Sequence, residues 1–310
     1  MALNIILKIE TNLNLITKKI LPRQINGLAL ILVTTTLISC SSANQEVVKS
    51  ENQLSVSEIA KELANPNTDK STLTLNLAHT SFTGDLPKAD KQDSFVMSFR
   101  PSFPFSLGDG KTFAVRPSIP FNYSRPVFDD GDFENESGAL GDITTDIFLG
   151  QSYKSGWIFG RGAVFTLPTA SNEALAGKSL NLGPEILLAK MTDWGVAGIH
   201  TTHQWDVAGW NDTRVSFSSL RYFYAYHLSD GWSIAAGPEM TYNWEGDSDN
   251  RFALPLGVGL TKTVIISGRP WRFSFETHYY VEQPEDIGPD ITFRFKIAPV
   301  VRNPFSKYFK

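Results

Sequence analysis

The chain has little of what several protein classes require. One cysteine in 310 residues, Cys40, excludes an internal disulfide framework and a cysteine-based metal cluster. No basic run is available to neutralise phosphates, and a net charge of −4 with a pI near 5.8 argues against a nucleic-acid partner. No Gly-rich phosphate loop, zinc-ligand spacing or nucleotide fingerprint occurs, so no cofactor or metal is expected. Long hydrophobic runs are also scarce. Mean hydropathy is −0.14, which excludes a helical membrane protein. A single apolar run, Ile25 to Ser39, is short for a spanning helix.

Aromatic residues are plentiful, at 12%, as are the 23 glycines. Many strands with interfacial girdles would use both. The stretch Trp271–Ile297 shows the arrangement. Alternate residues of a strand point to opposite faces. One face carries Trp271, Phe273, Phe275, Tyr279 and Val281, then Ile291, Phe293, Phe295 and Ile297. The other carries Arg272, Glu276, His278 and Glu282, then Arg294 and Lys296. A long aromatic side opposite a dense charged side fits a membrane barrel, apolar toward lipid and polar toward a lumen.

Lys18, Lys19 and Arg23 precede the apolar run, which reads as an export signal over residues 1–40. The run ends Leu37-Ile38-Ser39-Cys40, similar to a bacterial lipobox, with Cys40 as the lipidated residue. Cleavage after Ala43 is the alternative. Residues 41–71 read as a periplasmic linker. Within it Ser55-Val-Ser-Glu58 is a capping box, and a short helix is expected over 55–64. That helix either docks on the barrel or frays as a tether.

Residues 72–310 read as an all-β, antiparallel up-and-down barrel of about twelve strands. The strands are expected at 72–82, 93–107, 112–124, 140–153, 156–168, 179–190, 194–207, 213–228, 231–244, 250–265, 270–283 and 290–301. Connections alternate between tight turns and longer, often acidic loops, the pattern of periplasmic turns and outer loops. The most acidic loop, Asp129 to Glu136, reads as a solvated face rather than a cation site.

The inward columns then hold Arg100, Arg116, Arg221, Arg272, Arg294 and Lys296 against Asp142, Asp146, Glu185, Glu239, Glu276 and Glu282, with His278. They either line a solute path or pair across strands and close the lumen. Arg161 breaks the pattern, because it shares the outward column of Trp157, Phe159 and Phe165. A bulge at Gly160 or Gly162, snorkelling or a protein contact would relieve it. An enzyme is the competing class. His200, His203, His227 and His278 could serve as bases and Ser216, Ser218 and Ser219 as nucleophiles, but no nucleophile motif surrounds them.

Several short runs resemble a family of outer-membrane barrels labelled as transporters. They include Arg100-Pro-Ser-Phe-Pro-Phe105, Arg116-Pro-Ser-Ile-Pro120, Gly156-Trp-Ile-Phe-Gly160, His203-Gln-Trp205, Tyr242-Asn-Trp-Glu245 and Tyr279-Tyr-Val-Glu-Gln-Pro284. The family is related to outer-membrane proteins of phenol meta-pathway degradation. The resemblance implies a barrel in the outer membrane of a Gram-negative bacterium, in contact with its lipids. It implies uptake of small solutes, aromatic or otherwise hydrophobic, and no catalytic residues. A closed structural barrel is the alternative. Oligomeric state is left open.

Overall fold

Period-2 alternation governs almost the whole chain beyond residue 71, and the backbone follows it. A computed structural model describes residues 54–209 and 214–306. Cys40 and Ala43, with the export and lipidation readings, lie outside the described residues.

The strands are β1 (Ser71–Thr83), β2 (Asp93–Gly108), β3 (Lys111–Asp129), β4 (Asp132–Glu136), β5 (Ala139–Leu140), β6 (Ile143–Ser152), β7 (Trp157–Leu167) and β8 (Ser179–Met191). Then come β9 (Gly195–Gly209), β10 (Ser216–His227), β11 (Trp232–Ala236), β12 (Glu239–Asn243), β13 (Phe252–Ile266), β14 (Arg269–Glu282) and β15 (Gly288–Val301). All pairings are antiparallel; β3 also pairs with β5 and β6, β10 with β12 and β11 with β13, and β1 pairs with β15 to close the barrel. Treating β5/β6 and β11/β12 as interrupted single strands gives twelve staves, as expected. The hairpin β3–β4 projects beyond the wall.

The two faces separate as the alternation predicts. Leu149, Ile186, Leu188, Ile199, Leu256, Val258, Phe275 and Phe293 are exposed on the exterior. Exterior aromatics gather at both ends of this apolar band. Trp157, Trp194 and Trp232 stand near the tight turns, and Trp205, Trp244 and Tyr279 near the long loops. Lys190 lies over the Trp157 ring at 5.1 Å and Lys262 over Trp232 at 4.8 Å, as cationic groups at a headgroup level would.

One helix, α1 (Val56–Ala64), precedes the barrel. Its capping box is formed: Glu58 N–H donates to Ser55 Oγ, and Ser55 N–H donates to the Glu58 carboxylate at 2.7 Å. Ala60 and Leu63 are buried. The helix is docked at the tight-turn end rather than frayed. Arg272 donates to the Leu63 carbonyl at 2.7 Å. Just beyond, Asn67 Nδ2 donates to Gly110 O and Ser152 Oγ in two turns of the wall.

Two departures from the expected strands matter. The anticipated strand 231–244 is interrupted at Gly237-Pro238, because proline has no N–H to give a ladder. No bulge occurs at Arg161. Pairing of β7 runs without a register shift on both sides, Arg161 facing Leu149 and Ile186, so the side chain stays on the exterior. Gly160 and Gly162 serve the inner face instead. A Cβ at 160 would strike the Phe148 ring, and one at 162 would strike Ile147 O and Glu185.

Candidate functional site

A lumenal cavity of about 360 Å³ lies between the C-terminal end of α1 and the wall. The register brings the inward charges around it into defined pairs. Arg116 on β3 sits directly opposite Asp146 on β6, and Arg116 Nε donates to the Asp146 carboxylate. The same guanidinium stacks over Phe148, 4.4 Å from the ring centroid. It also lies 3.8 Å from Glu185, which is fully buried and contacts His200 Nε2 at 2.8 Å. Arg221 on β10 faces Glu239 on β12, donating at 3.0 Å. On β14, Glu276 accepts from Lys296, contacts His278 Nε2 at 3.1 Å and accepts from Gly237 N–H at 3.3 Å.

Of the residues singled out from sequence, Arg100, Arg116, Asp146, Arg221, Arg272, Glu276, Arg294 and Lys296 border the cavity. Glu185, Glu239 and His278 stand behind these as partners. Asp142 is elsewhere. It falls in the break between β5 and β6, where its carboxylate accepts from the N–H groups of Thr169, Ala170 and Gly177. The alternation that put it in the lumen ends at that break. Glu282 is exposed at the long-loop rim, past the register shift at Leu254/Pro255.

The wall itself carries a feature that alternation missed. β11 pairs with β13 as far as Ile234↔Leu260, and β12 resumes at Thr241↔Ala253. Residues 254–259 of β13 therefore have no ladder partner on that side. The intervening chain bends inward, and Pro238 packs against the inner side of Gly257, where a Cβ would sit 3.0 Å from its ring. Two tyrosines of β10 cross the gap from outside. Tyr222 Oη donates to Pro255 O and Tyr224 Oη to Gly257 O, the latter at 3.1 Å. Open backbone in lipid costs several kcal/mol per unsatisfied group, roughly, and these hydroxyls satisfy two of them. Tyr224 also borders the cavity, so the lumen reaches the break. Gly237-Pro238 inside a strand pattern was the signal in the sequence.

Among the serines singled out from sequence, the enzyme reading gains one contact. His203 Nδ1 and Ser218 Oγ lie 2.7 Å apart on the exterior near the long loops, and Trp244 Nε1 donates to the same Oγ at 2.9 Å. His203 Nε2 is buried with no hydrogen-bond partner, so no third group orients the ring.

No family model matches the chain, and no curated protein matches it in sequence. Solved structures match in fold. An outer-membrane channel from Pseudomonas putida F1 superposes with a TM-score of 0.58 at 16% identity, covering 75% of this chain and 96% of the other. The NanC porin gives 0.44 at 10% identity, covering 74% and 99%. The outer-membrane phospholipase A of Escherichia coli gives 0.41 at 17%, covering 81% and 99%. The fold is thus that of an outer-membrane β-barrel.

Proposed function

We propose that this protein is an outer-membrane channel that passes small apolar or aromatic solutes sideways between its lumen and the bilayer. Within this reading it belongs with the transporter-like barrels related to phenol meta-pathway proteins and is not an enzyme. The tight-turn end, where α1 docks, faces the periplasm, and the long loops face outward.

The break in the wall at residues 254–259 carries the reading. A closed barrel needs every backbone group paired. Here a six-residue stretch of β13 faces two tyrosine hydroxyls instead of a strand. The adjoining exterior is strongly apolar, with Leu256 and Val258 more than half exposed. A solute leaving through this gap meets hydrocarbon at once. The helix across the periplasmic mouth makes an axial water path a poor alternative.

The test is uptake of the neutral aromatic dye 1-N-phenylnaphthylamine, which fluoresces on reaching bilayer lipid. Cells carrying the protein should take it up faster than cells without it. Y222F/Y224F should be faster still, because the bonds that seal the gap are lost. Uptake equal to the empty control, together with no conductance in planar bilayers, would leave the closed structural barrel. The lumenal ion pairs favour that second reading, since side chains readily fill a barrel of this size.

A further inference from the structure

The cavity is lopsided in charge. Six basic side chains border it, Arg100, Arg116, Arg221, Arg272, Arg294 and Lys296, against only two carboxylates, Asp146 and Glu276. Ion pairing does not even this out. Arg116 is taken by Asp146, Arg221 by Glu239, and Lys296 by Glu276. Arg272 is spent on the Leu63 carbonyl. Arg294 lies directly opposite Glu276 in register, yet that carboxylate is already shared by Lys296, His278 and Gly237 N–H. Its Nε is buried with no partner. Arg100 likewise makes no hydrogen bond or ion pair among the described residues. A guanidinium withdrawn from bulk water with no direct partner is costly, so these two are available to an anion.

Their placement gives the anion a seat. Arg100 pairs with Thr74 on β1, and Arg294 with Ala78. Between them β1 presents only small inward groups, Thr74, Asn76 and Ala78. The basic wall is formed by β14, β15, β1 and β2. Across the barrel β8 to β11 supply Leu187, Val196, Phe223, Ala225 and Ala235 to the same cavity. One side is cationic; the facing side is largely apolar apart from Arg221, which Glu239 pairs, and His200. The volume is at the low end of the roughly 300–1,000 Å³ of small-molecule sites.

We infer that the cavity is a binding site for an amphipathic organic carboxylate, its carboxylate held by Arg100 and Arg294 and its apolar body against β8–β11. Guanidinium forks suit carboxylates in two-point geometry. This rests on the channel reading and adds to its apolar solutes a class that carries one anionic group.

The experiment is equilibrium dialysis of the full chain in lipid nanodiscs, with empty nanodiscs subtracted. The probes are benzoate and its neutral counterpart benzyl alcohol. Wild type should bind benzoate at least about tenfold more tightly than benzyl alcohol, and the preference should shrink with added salt. R100Q/R294Q should lose that preference while keeping its benzyl alcohol affinity. R100K/R294K, which retains both charges, should keep most of it. Heat-modifiable migration on a gel checks that each variant folds, and the wild-type preference stands as a test on its own. Equal affinity for the two probes in wild type overturns the inference, as does R100Q/R294Q binding benzoate like wild type. If dye uptake is intact when that happens, the channel reading survives. If benzoate is preferred but dye uptake fails, lateral passage falls and the anion site stands.

Discussion

Replacing Arg161 with leucine should stabilise the barrel. Arg161 follows Trp157, a residue of the tight-turn girdle, by four positions on β7. A strand advances about 3.3 Å per residue, and a tilt of about 35–45° reduces that to about 2.5 Å along the membrane normal. The Arg161 Cα therefore lies about 10 Å into an apolar band about 25 Å tall, close to its middle. Its lateral neighbours are Leu149 and Ile186, and it makes no ion pair among the described residues. Arginine on a lipid-facing site costs about 2–4 kcal/mol at the midplane, less where the stem can snorkel toward headgroups. R161L should then gain about 1–3 kcal/mol, which moves a urea unfolding midpoint up by roughly 1 M. The assay is urea titration in lipid vesicles, with folded and unfolded forms separated by gel mobility. An unchanged or lowered midpoint would refute the reasoning. It would mean that the guanidinium holds a phosphate or a partner carboxylate in the native membrane surface.

Phe148 is 1% exposed and lies under the Arg116 guanidinium, so F148A should cost about 3–5 kcal/mol in the same titration. S55A removes one half of the capping box and should loosen α1, which a rise in planar-bilayer conductance would report; unchanged conductance would show that the helix is not the barrier. Bonds from Ser55, the backbone N–H first and then the hydroxyl, hold the Glu58 carboxyl below the usual carboxylate range. A depressed folded value stabilises the helix above the unfolded pKa and ceases to do so as pH falls through the folded one, so acid should raise conductance in wild type and much less in E58Q. The His203–Ser218 contact lacks an orienting group, so 4-nitrophenyl ester hydrolysis should be absent, and S218A-sensitive turnover would reinstate the enzyme reading.

Most of the wall was legible because a barrel repeats one simple rule. Each residue faces lipid or lumen, and the expected twelve runs fall within a few residues of the observed strands. Inward charges such as Arg116 and Asp146, or Arg221 and Glu239, could be assigned to a face from parity alone. Which charges meet could not be read so, because cross-strand register depends on turns and shifts spread along the chain. Asp142 went astray where pairing stops at Gly141, since parity carries no information across a break. Arg161 is the converse case. Parity placed it outside, and the glycines beside it suggested an escape. Those glycines answer instead to Phe148 and Glu185, bulky groups that lie flat over the inner face of β7.

The gap between β12 and β13 is where local rule and fold disagree most. Gly237-Pro238 weakens the strand, Gly257 and Gly259 weaken its neighbour, and both pairs lie at the same height on adjoining staves. Each could be a tolerated imperfection by itself. Together they are complementary, because Pro238 and the Ala235 carbonyl occupy the inner space that side chains at 257 and 259 would need. The inward bend is thus encoded from both sides. Tyr222 and Tyr224 then supply the hydroxyls that the missing ladder would have supplied, from a strand whose own alternation sends them outward. Glu276 holds the apex of the bend through Gly237 N–H, while Lys296 and His278 take up the rest of the carboxylate that faces Arg294. The unpaired stretch of β13 and the crowded Glu276 carboxylate thus meet at one distortion.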